Sequence, residues 1–183
     1  SLAVYGNVRV YKKFKHTRAV RAKVLYDKLP EAFRLIREIT GSSRLDDKKR
    51  LREIIAKAKS ALQVTLMSSG HSAAAMRAMS YTSPVARYTD DTSGITFYRL
   101  LEELDQSFDE QYSRLTAILK ELTETVLCRD GLLISYTAQQ EGLAAAQQEI
   151  QDFVEALPVS SGDKEEPVFC PDRKNEGFLS ASK

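Results

Sequence analysis

One apolar stripe constrains this chain more than any other feature. Leu51, Ile54, Ile55, Ala58, Leu62, Leu66, Ser69, Ala73 and Met76 recur at helical intervals, the spacing that lays residues along one face of an α-helix. A helix of that length draws its stability from packing its apolar face, so much of the chain must be arranged around it. Ser43 and Asp46, three residues apart, imitate a capping box ahead of it. The stripe crosses Gly70 and His71 in SSGHSAAAMRAMS without losing phase, and a single continuous helix is expected. A glycine inside a helix costs about 1 kcal/mol relative to alanine. Its presence there predicts a close backbone approach or a kink, and His71 beside it reads as a hydrogen-bonded structural histidine.

Upstream the period is two. Val8, Val10 and Phe14 alternate in VRVYKKFKH, and Val20, Ala22 and Val24 alternate in AVRAKVLY, which predicts strands near 7–15 and 18–25. Pro30 suits the first turn of a short helix with Leu29, Phe33, Ile36 and Ile39 on one face and Gly41 as its stop. TSPVARYTDDTSG, residues 82–94, has the composition of a connector. Beyond it, Ile95, Tyr98, Leu101, Leu104 and Phe108 form one stripe and Tyr112, Leu115, Leu119, Leu122 and Val126 another, giving two helices or one bent helix. GLLISYTA, residues 131–138, is a third β-like run, and Leu143, Ala146, Ile150, Phe153 and Leu157 mark a last helix ending at Pro158. The order β, β, α, α, α, α, β, α predicts an α+β fold of two layers, a small antiparallel or mixed sheet with several long helices on one face. Residues 1–158 are expected to form a single α+β domain, and the aperiodic, proline-bearing residues 159–183 a linker and the start of a next domain. An open sheet edge is a template for another strand. The isolated chain is therefore expected to self-associate or to cover that edge with its own KNEGFLSASK.

Composition narrows the function classes. With 183 residues, 43% of them hydrophobic, the chain is long enough for a proper core. No apolar run nears the roughly 20 residues of a membrane span, and no basic-then-apolar leader opens the sequence, so a membrane partner is not expected. Cys128 and Cys170 lie far apart and outside any CxxC spacing; both are expected to be free thiols in a reducing compartment, bacterial cytoplasm first and an organelle if the source is eukaryotic. The net charge of +2 conceals a polarity: residues 1–60 hold 17 Lys and Arg against 6 Asp and Glu, and residues 61–183 hold 10 against 19. The basic lead YKKFKHTRAVRAK, with Tyr11 and Phe14 as stacking rings, raises a nucleic-acid reading. Its alternation reads better as the solvated face of two strands.

The search for chemistry yields exclusions. The histidines, His16 and His71, have no His, Cys, Asp or Glu at metal-ligand spacing, and neither HExxH nor HxxEH occurs. The glycines form no phosphate loop and no GxSxG marks a nucleophile. Arg129 beside Cys128 is of the kind that lowers a thiol pKa, but a small buried thiol is the commoner case. The adjacent pairs Asp90 with Asp91 and Glu102 with Glu103 diverge in direction and read as helix-end and surface residues. No catalytic, cofactor-binding or metal-binding residue is assigned.

SSGHSAAAMRAMSY followed by YTDDTSGITFYRLLEELDQSFDEQ resembles the second half of presequence-protease-like members of the pitrilysin (insulinase) family of zinc metallopeptidases. VLYDKLPEAFRLIREIT, RLDDKKRLREIIAKAKSAL, GLLISYTAQQEGL and KNEGFLSASK fall in the order that family shows, so the likeness covers roughly residues 20–157 and the last ten. It implies a piece of the third of four related α+β domains, arranged as a clamshell around a chamber where unfolded peptides are cut. The zinc, on an inverted HxxEH motif, would lie in the first domain, and the substrate-holding arginine and tyrosine in the fourth. None of these can be carried onto a position here. The resemblance thus implies a non-catalytic structural part, inactive alone, whose partners are the parent's other domains and, through them, peptide substrate. Two other classes stay open: a stand-alone scaffold derived from the same fold, and a basic nucleic-acid-binding module.

Overall fold

The computed structural model describes residues 2–6, 14–126, 128–159 and 173–178. Among these, seven α-helices follow one pair of short strands: β1 (Leu2–Gly6), β2 (Phe14–Arg18), α1 (Leu29–Gly41), α2 (Lys48–Ser68), α3 (Gly70–Ser80), α4 (Pro84–Ser93), α5 (Ile95–Gln106), α6 (Phe108–Val126) and α7 (Gln140–Glu155). The strands pair antiparallel with Leu2 opposite Arg18 and Gly6 opposite Phe14, and β1 runs beside α4.

This overturns the expected two-layer α+β architecture. Two five-residue strands are the whole strand content of the described residues, and a two-stranded ribbon cannot serve as a layer for several helices. Residues 19–25 have no regular strand; Val20 and Val24 are exposed, so their alternation buries no face. In 131–138, Ile134, Tyr136 and Ala138 do turn partly inward, but Leu133 is 89% exposed and no described strand lies alongside to complete a ladder. Residues 7–13, the rest of the first expected strand, fall outside the described residues.

The chain divides into two compact units. The first comprises residues 1–19, 47–112 and 166–183. In it α2 packs on α5, α3 on α4, and α4 on α5, around Leu66, Ile95 and Tyr98, with Leu62, Ala73 and Phe178 against them. The long stripe is real: Ile55 and Leu66 are buried, Leu51, Ala58, Leu62, Ser69, Ala73 and Met76 are half-buried, and Ile54 alone falls on the exposed side. Yet it is carried by two helices. Ser69, at φ −132° and ψ 40°, ends α2 with its N–H on the Thr65 carbonyl at 2.9 Å, and its own carbonyl accepts from Ser72 and Ala73 at 3.0 and 3.1 Å. Leu66 and Ala73 face one cluster from opposite sides of this break. The start of α2 is also set differently from the expected box, by Asp47, whose carboxylate accepts from the Arg50 N–H at 2.9 Å.

The expected connector 82–94 is a helix. Ser83 caps it by accepting from the Ala86 N–H at 3.3 Å, and Pro84 occupies its first turn, the start signal that the polar composition obscured. Its hydroxyls are satisfied internally, Thr89 on Val85, Thr92 on Tyr88 and Ser93 on Thr89, all carbonyls one turn back.

The second unit comprises residues 20–46 and 113–165, in which α1 packs on α7 with Phe33 and Phe153 in tilted contact at 5.6 Å between centroids. Residues on other elements fasten both ends of α7. The Tyr26 hydroxyl accepts from the Gln139 N–H at 3.2 Å, while Arg129 donates through Nε to the Leu157 carbonyl at 2.9 Å and through a terminal nitrogen to the Glu155 carbonyl. A cation over the last carbonyls complements the helix dipole. Arg129 is thereby spent on α7, while Cys128 is a buried free thiol whose Sγ donates to the Thr125 carbonyl at 3.3 Å. Cys170 lies outside the described residues.

Gly70 does not have the close approach expected of it, for a Cβ there would meet nothing within 4 Å, and His71 is exposed. The crowded glycine is Gly94, where a Cβ would sit 2.8 Å from the Asp90 Cα and nearer still to its carboxylate. Gly94→Ala is expected to destabilise by about 2 kcal/mol or more, and Gly70→Ala to be neutral or stabilising by up to about 1 kcal/mol. Urea midpoints of the two variants check this; a lower midpoint for Gly70→Ala than for Gly94→Ala would refute it.

Candidate functional site

The crowding at Gly94 has its origin in Asp90. This residue is fully buried, and its carboxylate is saturated with donors: Oδ1 accepts from the Ile95 N–H at 3.0 Å, and Oδ2 from the Thr96 hydroxyl at 2.5 Å and an Arg77 terminal nitrogen at 2.7 Å. Ile95 is the first residue of α5, so the acid sits where that helix presents unpaired N–H groups and a positive dipole end. Reaching back over Gly94, it leaves no room for a side chain there. The arginine comes from α3 and the acid from α4, so one ion pair fixes three helices.

Arg77 has a second face. Its Nε donates to Glu176 at 2.5 Å, and a terminal nitrogen reaches Thr96 at 2.7 Å as well as Asp90. Glu176 lies in the irregular segment 173–178 and also accepts from the Tyr81 hydroxyl at 2.7 Å and Arg99 at 3.0 Å. Two residues on, Phe178 stands edge-on to Tyr98 at 5.7 Å, and the Arg99 guanidinium lies 5.8 Å from the Phe178 ring. A carboxylate and a ring from one segment thus enter adjoining subsites between α3 and α5. KNEGFLSASK, expected to fill a sheet edge, rests through its described residues on helices instead.

The charges follow the geometry. The hydrogen bonds from Arg77 and Tyr81, with that from Arg99, outweigh burial and hold Glu176 down at about 2. Burial pulls the Arg77 pKa downward, but its bonds to Glu176 and Asp90 prevail and leave it above the ordinary guanidinium value. The hydrogen bond to Glu176 raises the Tyr81 hydroxyl.

A second group of pairs accounts for part of the charge polarity along the chain. Lys48 and Arg52 of α2 both reach Asp109 at 2.8 Å, and Lys59 of α2 pairs with Asp105; hydrogen bonds from Lys48 and Arg52 hold the Asp109 carboxyl below its usual range. Three basic residues of the early chain are therefore committed to acids of the later chain. The adjacent acids do diverge. Asp91 pairs with Arg87 at 3.0 Å, and Glu103 accepts from Gln111 at 3.3 Å, but Asp90 is fully buried instead of a surface residue. His16 lies in β2 and His71 in α3. Among the described residues there is no group of three or more His, Cys, Asp or Glu that could hold a metal ion, and no helix is long and apolar enough to cross a membrane.

Residues 1–104 match the model of a protein family described as associated with M16 peptidases of subfamily C. The chain belongs to that family. It is 25% identical to protein HypA of Clostridium perfringens over 175 residues, covering 96% of this chain and 18% of that protein. It is also 22% identical to presequence protease 1, chloroplastic/mitochondrial, of Arabidopsis thaliana over 139 residues, covering 76% of this chain and 13% of the relative. The chain therefore spans less than a fifth of the length of either protein. The matched region takes in Arg77, Asp90, Gly94 and Thr96, so the ion pair that joins α3, α4 and α5 falls within the family's own boundaries.

Asp90→Ala strips Arg77 of its inner partner, leaving it only Glu176 on the outer side, and takes the acceptor from the buried Ile95 N–H; it is expected to destabilise by about 3–5 kcal/mol, read as a lower urea midpoint, and a loss below about 1 kcal/mol would remove Asp90 from this role. Glu176 has a depressed pKa in the folded chain, so its contribution is present above its ordinary 4.5 and disappears as pH falls toward about 2. An acid titration of the wild type should show stability lost across that window, and the Glu176→Gln variant should lose less. Equal acid sensitivity of the two proteins would refute the assignment.

Proposed function

We propose that this chain is a non-catalytic structural part of a zinc-dependent M16 peptidase that degrades unfolded peptides within a clamshell chamber. The observation that carries the reading is the match of residues 1–104 to the family associated with M16 peptidases of subfamily C. Relatives five or more times longer leave ample room for a catalytic centre on other parts of such a protein, and the name of one of them, presequence protease, supplies the peptide-degrading activity as an inference. The described residues do not fit a zinc site. An open catalytic zinc needs three protein ligands converging on one point; His71 is exposed on α3, and the buried carboxylate of Asp90 is filled by Arg77, Thr96 and the Ile95 N–H. In this reading no catalytic step passes through the described residues. The chain's contribution is a helical unit whose buried ion pair holds its shape.

Two measurements test the proposal. After dialysis the purified chain should retain far less than one equivalent of zinc and should not cleave an unstructured peptide in a chelator-sensitive way. Added to the zinc-bearing remainder of the same peptidase, produced separately, it should restore cleavage. One retained equivalent of zinc, or a remainder that cleaves at full rate without it, would overturn the reading.

A further inference from the structure

The contacts of segment 173–178 have the form of a ligand in a receptor. On the receptor side stand Arg77, Tyr81, Tyr98 and Arg99; on the ligand side Glu176 and Phe178. The receptor side is organised independently of the ligand. One terminal nitrogen of Arg77 is held by Asp90 and Thr96, which leaves Nε aimed at the carboxylate. Tyr98 is fixed in the core with Leu66 and Ile95, and its ring is the wall against which Phe178 stands, the two planes near perpendicular. Arg99, 43% exposed, bridges the two subsites, donating to Glu176 and lying near the Phe178 ring. Gly177 between them meets nothing that a Cβ would touch, so recognition skips that position.

We propose that the groove between α3 and α5 is a peptide-recognition socket that reads a carboxylate and an aromatic ring two residues apart, and that segment 173–178 is its tethered occupant. The carboxylate is recognised by charge-assisted bonds from two guanidiniums and a phenol, and the ring by edge-to-face and cation–π contacts. A free peptide of the same chemistry competes for the socket, at a disadvantage set by the effective concentration of the tethered segment. This inference does not depend on the peptidase reading.

The test is a fluorescence anisotropy titration with a labelled peptide of sequence RKNEGFLSASK. The receptors are the full wild-type chain and the full chain carrying Glu176→Gln with Phe178→Ala, which vacates the socket without touching its walls. The double variant should bind the peptide about tenfold or more tightly than wild type, and a peptide with Gln in place of the Glu should lose about tenfold or more in affinity. A folded double variant with no saturable binding, or equal binding to both chains, overturns the proposal. If the double variant does not fold, the wild type decides. Excess free peptide should accelerate hydrogen exchange in its own 173–178 if the two compete, and unchanged exchange overturns it.

Discussion

A carboxylate with zero exposure is the constraint on which the first helical unit depends. Removing a charge from water costs several kcal/mol unless every acceptor site is filled. Asp90 is tolerated because a backbone N–H, a hydroxyl and a guanidinium converge on it. Each donor imposes a condition. The N–H requires α5 to begin at Ile95, the guanidinium requires α3 to pass within reach of α4, and the return of the side chain over position 94 requires glycine. The break at Ser69 belongs to the same set of conditions, since it gives α3 a direction of its own while Leu66 and Ala73 still share one core.

The second unit solves a smaller problem by a similar device. Helix α7 has no side-chain cap of its own at Gln139, and its ends are finished by Tyr26 and Arg129 from distant parts of the chain. The Tyr26 ring then lies against Gly142, where a Cβ would stand 2.9 Å from ring carbons. In both units a glycine marks the place where a side chain bonded to a helix terminus passes close to backbone.

What could be read from the sequence was what periodicity encodes. The stripe from Leu51 to Met76, the stripe beginning at Ile95 and, at Ala146 and Phe153, the last helix before Pro158 bury the faces their spacing indicates, because apolar burial is the largest favourable term in folding; the stripe beginning at Tyr112 forms its helix but leaves Leu122 and Val126 exposed. The strand assignments failed for the same reason in reverse. Val20, Ala22 and Val24 alternate, but alternation states only which side chains share a face, and a ladder also needs a neighbour. Helix α4 was hidden because its composition is that of a turn while Ser83 and Pro84 carry the start signal. Asp90 was hidden more deeply: nothing local separates it from Asp91, and its burial is decided by Arg77, 13 residues earlier. Glycines mislead in the same manner, since Gly70 and Gly94 look alike until the neighbouring carboxylate is placed.

The two faces of Arg77 differ in how far along the chain their partners lie. Asp90 and Thr96 are 13 and 19 residues away, whereas Glu176 is 99 residues from Arg77 and 77 from Arg99. Closing a longer loop costs more chain entropy, and synthesis runs from the N-terminus, so Asp90 and Thr96 are in reach of Arg77 long before Glu176 has been made. The inner half of this arginine can be engaged while its outer half still faces water. Assembly around Arg77 is thus ordered in time by the chain itself, with the local bonds first and the distant carboxylate last.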